Sequence, residues 1–161
     1  MYGGEVRARR ASTLGFRHAG TVQAVHVEEG DRVAAGSLLA VLDREPLAAR
    51  LAQAQAEVTH AAAGVRVAEA ALELARQTTA RHGELVERGL VSRQLYDELR
   101  LDTSGREAQL EVAEAAHAQS RANLEAAAVD LDRTRIVAPY AGRVQSRMVD
   151  EGTIVMPGQA A

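Results

Sequence analysis

With 161 residues and no cysteine, the chain has room for one ordinary domain or two small ones and can form neither a disulfide nor a thiolate zinc site. A formal net charge of −3, with the excess of carboxylates concentrated on the long middle segment, leaves no basic face for nucleic acid. No apolar run approaches the ~18 residues of a membrane span and no signal peptide opens the chain, which reads as cytosolic or as a piece of a longer exported protein with Met1 as an added start.

Residues 5–17 mix polar and apolar side chains, with Val6, Leu14 and Phe16 among them, and suggest one or two short strands. From Ala19 the pattern sharpens: alternation around Val25 and Val27, a turn at Glu28 to Asp31, then Val33, Gly36 and a strand-like run from Leu38 to Leu42. This segment repeats near the other end. Set 19–39 over 141–161, and Ala19, Gly20, Val22, Gln23, Val27, Glu29, Gly30, Val33 and Gly36 fall on Ala141, Gly142, Val144, Gln145, Val149, Glu151, Gly152, Val155 and Gly158. Each half lacks the other half of a core. One small β domain, split by an insertion that leaves through Asp43 to Pro46 and returns through Ile136 to Pro139, is the economical reading.

The insertion carries a heptad seam. Leu47, Leu51, Ala54, Val58, Ala61, Val65, Ala68, Leu72, Ala75, Thr79, His82 and Val86 recur in steps of four and three. Tyr96, Leu99, Thr103, Arg106, Leu110, Ala113, His117, Ser120, Leu124, Ala127, Leu131 and Thr134 repeat the stepping beyond Gly89. Two helices of similar length around one short break predict an antiparallel hairpin, a rod about 60 Å long that encloses no substrate-sized volume. If paired positions sum to about 178, bulky residues meet small ones in successive layers, as in Leu51 with Ala127, Val65 with Ala113 and Ala68 with Leu110. Leu72 then faces Arg106, whose guanidinium must turn outward, and truncating Leu110 is expected to cost more than any single change at an outer face, about 2 kcal/mol. The midpoint falls on Gly89, where a left-handed residue ends the first helix; Ser92 caps the second, with Asp97 and Glu98 near its positive end. Pro46 fits a first turn, and Pro139 requires the second helix to stop earlier. The fold class is therefore α+β, with half-domains at 5–44 and 136–161 and a hairpin at 45–135 turning near 88–92.

The half-motif running Gly20, Thr21, Val22 through Gly30, Val33 and Gly36, the hairpin, and the returning Ala138, Pro139, Tyr140, Ala141, Gly142 with Glu151, Gly152, Pro157 and Gly158 together resemble the periplasmic adaptors, or membrane fusion proteins, of the HlyD family in tripartite efflux and secretion systems. The resemblance implies a lipoyl-like barrel-sandwich hybrid, no cofactor and no enzymatic activity. It also implies a periplasmic location with an anchor in the inner membrane, an inner-membrane transporter as partner through parts missing here, and self-association into a ring. In members that dock a TolC-like outer-membrane channel, the hairpin tip carries an Arg, a Leu four residues on and a Ser seven beyond; Arg81, Leu85 and Ser92 match in type and spacing. The family's usual β-barrel, membrane-proximal domain and anchor have no counterpart here, and the second half-motif stops at Ala161, before a strand analogous to Leu38 to Leu42. That gap predicts an unpaired sheet edge.

Three other readings are open to such a sequence. A lipoyl or biotin carrier domain needs a lysine for covalent attachment, and the chain has none. A metal site or enzyme would rest on His18, His26, His60, His82 and His117, but no pair has i, i+4 ligand spacing and no Cys accompanies them, so each reads as a satisfied or solvated histidine. A structural coiled-coil interaction protein outside any transport system accounts for the rod, but not for the split β repeat.

Overall fold

The structure, a computed structural model, describes residues 10–161. The strands expected over 5–17 thus lie partly outside the described residues; within them, an isolated antiparallel bridge joins Gly15 to Ala160. In chain order the elements are β1 (Gly20–Val25), β2 (Arg32–Val33), β3 (Leu38–Leu42), α1 (Glu45–Glu87), α2 (Arg93–Asp132), β4 (Arg135–Val137), β5 (Gly142–Arg143) and β6 (Ile154–Val155). This is the α+β architecture anticipated, a long helical hairpin inserted into a split barrel-sandwich. The chain divides into a β unit, residues up to Ala48 and from Ala128 onward, and a helical unit, Ala49–Ala127.

In the β unit, all strand pairs are antiparallel: β4, β3, β1 and β6 form one sheet in that order, and β2 pairs with β5. β3 and β1 from the first half are flanked by β4 and β6 from the second, and β2 pairs with β5, so neither half closes a core alone. Phe16, Val22, Ala40, Leu42, Ile136, Val149 and Val155 form that core, with Phe16, Val22, Leu42 and Val155 each only 1% exposed.

The repeat is realised bond by bond. A constant offset, the one that sets Gly20 over Gly142, also sets the ladder pairs Gly20–Val155 and Thr21–Ile154 over Gly142–Val33 and Arg143–Arg32. Gly30 N donates to Val144 O at 2.9 Å, and its equivalent Gly152 N donates to Val22 O at 2.8 Å. Gly36 N reaches Ala138 O at 2.7 Å as Gly158 N reaches Phe16 O at 3.0 Å. Two carboxylates act reciprocally across the pseudo-twofold: Glu29 accepts from Arg147 N at 3.0 Å, and Glu151 from Val25 N at 3.4 Å. Gly30 and Gly152 have φ of 92° and 82°, so the expected like turns are observed at positions that an L side chain occupies only with strain.

The symmetry stops at one place. β1 lies beside β3, but the equivalent of its β3-paired part, residues 144–147, has no strand beside it among the described residues. A cavity of about 870 Å³ opens there, floored by Val25, Leu39, Ile136 and Val149, with Tyr140 and Arg147 on its wall. This is the predicted free edge.

α1 begins as its sequence dictates. Asp43 Oδ1 accepts from Glu45 N at 3.0 Å, filling one orphan donor, and Pro46 occupies the first turn, where no N–H is required. α2 gives way to β4 well before Pro139; Thr134, fully buried, donates its hydroxyl to Leu131 O at 2.6 Å.

In the hairpin, all the predicted seam positions on both helices are buried or half-buried. On α2 the match is tight: outside the seam, Asp130 is the one residue that is not exposed. Contacts near the tip fix the register. Thr79 Oγ1 bonds Leu99 O at 3.1 Å and Thr103 Oγ1 at 2.8 Å, Gly83 faces Tyr96, and Arg76 pairs with Glu107 at 2.9 Å. The expected partner of Thr79 is Leu99; a displacement of one heptad would bring it to Ser92 or Arg106 instead. Arg106 turns out to Asp102 (3.4 Å) and Gln109 (3.3 Å), as anticipated. Leu72, 4% exposed, is the most enclosed large seam residue of the helical unit, while Leu110 is half-buried.

Candidate functional site at the hairpin tip

The tip is built by two capping motifs placed back to back. Leu90 N donates to Leu85 O and Gly89 N to Val86 O, both at 2.9 Å, with Gly89 at φ 72°. These are the paired bonds of a Schellman motif, which satisfies carbonyls that the end of α1 leaves open. Three residues on, Ser92 Oγ accepts from Leu95 N at 3.2 Å, and Ser92 O accepts from Tyr96 N at 3.3 Å, so Ser92 is the N-cap of α2. α2 opens with Arg93, and Asp97 and Glu98 stand in its second turn, too far in to complement the helix end strongly.

Below the caps the seam becomes polar. Thr79 and Thr103 share a hydrogen bond, and His82 Nδ1 lies 2.8 Å from Thr78 O. Tyr96 lies against Gly83, where an added Cβ would stand 3.3 Å from the ring. The other histidines show no common site; among the described residues no group of three or more His, Asp or Glu is placed to hold a metal.

The three sequence-predicted site residues all lie at this end, with unlike exposure. Arg81 is exposed and makes no side-chain hydrogen bond or ion pair among the described residues. Leu85 is half-buried, and its carbonyl is engaged in the cap. Ser92 is exposed, and its cap uses the oxygen as acceptor, leaving the hydroxyl proton to donate elsewhere. The sequence reading missed Leu90. It is 67% exposed at the apex, and the signal for it was the apolar residue directly after a helix-ending glycine. Nothing at the tip pairs a nucleophile with a base, so the chemistry available is apolar contact and hydrogen bonding.

Residues 10–161 match the family model described as the RND MFP barrel-sandwich hybrid domain. The chain belongs to the membrane fusion proteins. Among relatives of this membrane fusion protein, a multidrug resistance protein MdtA from Pectobacterium atrosepticum is 35% identical over 155 residues, 96% of this chain and 34% of the relative. A macrolide export protein MacA from Escherichia coli O157:H7 is 32% identical over 158 residues, 98% of this chain and 43% of the relative. The chain thus spans less than half the length of either. The crystal structure of MacA from Actinobacillus actinomycetemcomitans superposes with a TM-score of 0.88 at 22% identity, covering 94% of this chain and 47% of that one, a likeness of fold.

Proposed function

We propose that this membrane fusion protein segment works as a periplasmic adaptor, linking an inner-membrane transporter to a TolC-like outer-membrane channel in tripartite efflux or secretion, with the hairpin tip docking the channel. The observation that carries the reading is a family-matched split β domain bearing a hairpin whose tip, closed by two caps, presents Arg81, Leu85 and Ser92 within a few turns. The relatives named for drug resistance and macrolide export support a transport role. No described helix is long and apolar enough to cross a membrane. The adaptor carries no cofactor and catalyses no reaction.

In this scheme Arg81 donates to carboxylates or free carbonyls at the channel tip, Leu85 packs between partner helices, and the Ser92 hydroxyl donates a further bond. Each contact is worth about 1–2 kcal/mol, and a ring of copies multiplies them by avidity, so a single hairpin binds below detection. Arg81→Asp or Leu85→Ser in the full-length gene product is expected to abolish channel cross-linking and export with helicity unchanged. Charge reversal at mid-rod Arg66 or Arg121 is expected to do much less. Tip variants that still cross-link and still support export would instead favour a structural coiled-coil role outside transport.

A further inference from the structure

Below the tip, four large apolar side chains of the hairpin stand open to solvent: Val67, Leu74, Leu101 and Val112, from 67% to 73% exposed. They are not scattered. On α1, Gly64, Val67, Ala71, Leu74 and Thr78 recur in steps of three and four, and on α2 Leu101, Gly105, Ala108, Val112 and Ala115 do the same, so each helix carries a second stripe besides its seam. Every charged residue of 64–78 and 101–115 falls at another position. All five residues of the α2 stripe are exposed, and a helix with two apolar faces suits a place between two neighbours, of which the hairpin supplies one.

Two glycines point the same way. Gly83 of α1 is accounted for by Tyr96, but Gly64 and Gly105 have nothing within 4 Å of the Cβ they lack, and neither has a positive φ to require glycine. Glycine inside a helix is destabilising relative to alanine. Both lie on the second stripes, where a missing side chain lets another helix approach closely.

We infer that the α2 stripe of one copy of this chain packs against the α1 stripe of the next, so that rods associate head to tail in the order α1, α2, α1, α2. Register identifies the occupant. Residues level with one another along the hairpin have numbers that sum to about 178, as Thr79 and Leu99 do. Copies related by rotation about an axis along the rod keep that level, so α2 of one must meet α1 of the next at nearly the same sum. At 179 the stripes fit: Leu74 meets Gly105, Thr78 meets Leu101, Gly64 meets Ala115 and Ala71 meets Ala108, with only Val67 and Val112 setting bulk against bulk. The next pair toward the tip is Arg81 with Glu98, opposite charges that make no ion pair among the described residues. A slide of one heptad sets Leu74 against Glu98 or against Val112 instead. Pairing α2 with α2 would leave Val67 and Leu74 in water. The inference deepens the adaptor reading above and rests on it for the ring. At about 20 Å the contact is too short to bury the ~1,200–2,000 Å² of a stable pair, so rods pair at the local concentration of an assembled ring rather than as free segments.

The 161 residues hold no cysteine, so introduced pairs report contacts between rods. In the full-length gene product, Ala71→Cys with Ala108→Cys is expected to give a ladder of disulfide-linked multimers on mild oxidation. Either change alone, or Ala71→Cys with Ala122→Cys, is expected to leave monomer. Adding Gly105→Leu should lower the multimer yield roughly ten-fold while thermal melting of the helices shifts no lower, because leucine favours a helix over glycine; adding Leu74→Ala as well should restore the yield. Dimers from Ala108→Cys alone would show α2 on α2 and overturn the inference, as would a ladder that survives Gly105→Leu. Monomer from the Ala71 and Ala108 pair, where the tip still cross-links to the outer-membrane channel, would overturn it and leave docking standing. A ladder beside channel cross-linking that Leu85→Ser does not lower would sink the docking reading and leave the rod contact standing. Neither ladder nor channel cross-link would sink both.

Discussion

The β unit and the helical hairpin reach order by opposite routes. In the β unit β1 and β3 pair at short range, but the bonds that join the two halves span about ninety residues or more, as from Gly30 to Val144 and Gly152 to Val22, and four side chains are 1% exposed. In the hairpin every backbone bond is local, and the seam between two helices leaves most of its residues half-exposed. A two-helix layer has no interior in which to hide a side chain completely. Stability in the β unit therefore sits in a few enclosed residues and fails cooperatively; along the rod it is spread over many layers of small value.

Leu42→Ala is expected to have the largest effect, about 3 kcal/mol, because the closely packed site cannot collapse around the lost methyls. Amide exchange at Val25, Ala40 and Val155 should quicken while residues 58–120 keep their protection; loss of protection in both would break the contrast. Leu72→Ala should cost about 2 kcal/mol, more than Leu110→Ala, in chemical denaturation followed by far-UV circular dichroism. Equal costs would mean that enclosure does not rank the layers of the rod. Gly30→Ala and Gly152→Ala should each cost about 1 kcal/mol, since both positions lie at positive φ with nothing within 4 Å of the added methyl. A clear inequality between them, measured by thermal melting, would show that the turns are alike in backbone but not in energy. Thr79→Val should cost about 1 kcal/mol, and because Thr103 keeps its own bond to Leu99 O, the further change Thr103→Val should add to the loss rather than recover it; a double-mutant cycle reads the coupling. The smallest effect belongs to Arg76→Ala. Both partners of the Arg76–Glu107 pair are about half exposed, so the loss should stay under about 0.5 kcal/mol and shrink with added salt.

Much of this architecture was legible because it is periodic or duplicated. The seam follows a strict alternation of three and four, and a residue in that phase is covered whatever its chemistry, as His117 and Arg106 are. The repeat was visible through its glycines and valines. Its extension back to Phe16 was not, since Phe16 and its equivalent Ala138 share a backbone role, each accepting from a turn glycine, but no side-chain likeness. The unlike enclosure of Leu72 and Leu110 was hidden for a related reason: periodicity assigns a face, whereas depth depends on how far each partner leans over it. At the tip, Gly89 and Ser92 could be read because caps have strong residue preferences. Leu90 was marked only as the apolar residue after that glycine, and its exposure depends on where the chain turns in space.

The interleaving of strands from both ends bears on how the chain folds. β1 and β3 can pair as soon as both are free, but the partners of Gly30 and Gly36 lie roughly a hundred residues further along the chain. The zipped hairpin brings Thr134 to Leu42, where Leu42 N donates to Thr134 O at 2.9 Å. Closing a loop of some ninety residues is entropically costly for a flexible chain. The rod bears that cost through its own local contacts, so it acts as an intramolecular jig, delivering β4, β5 and β6 to the strands that have been waiting for them.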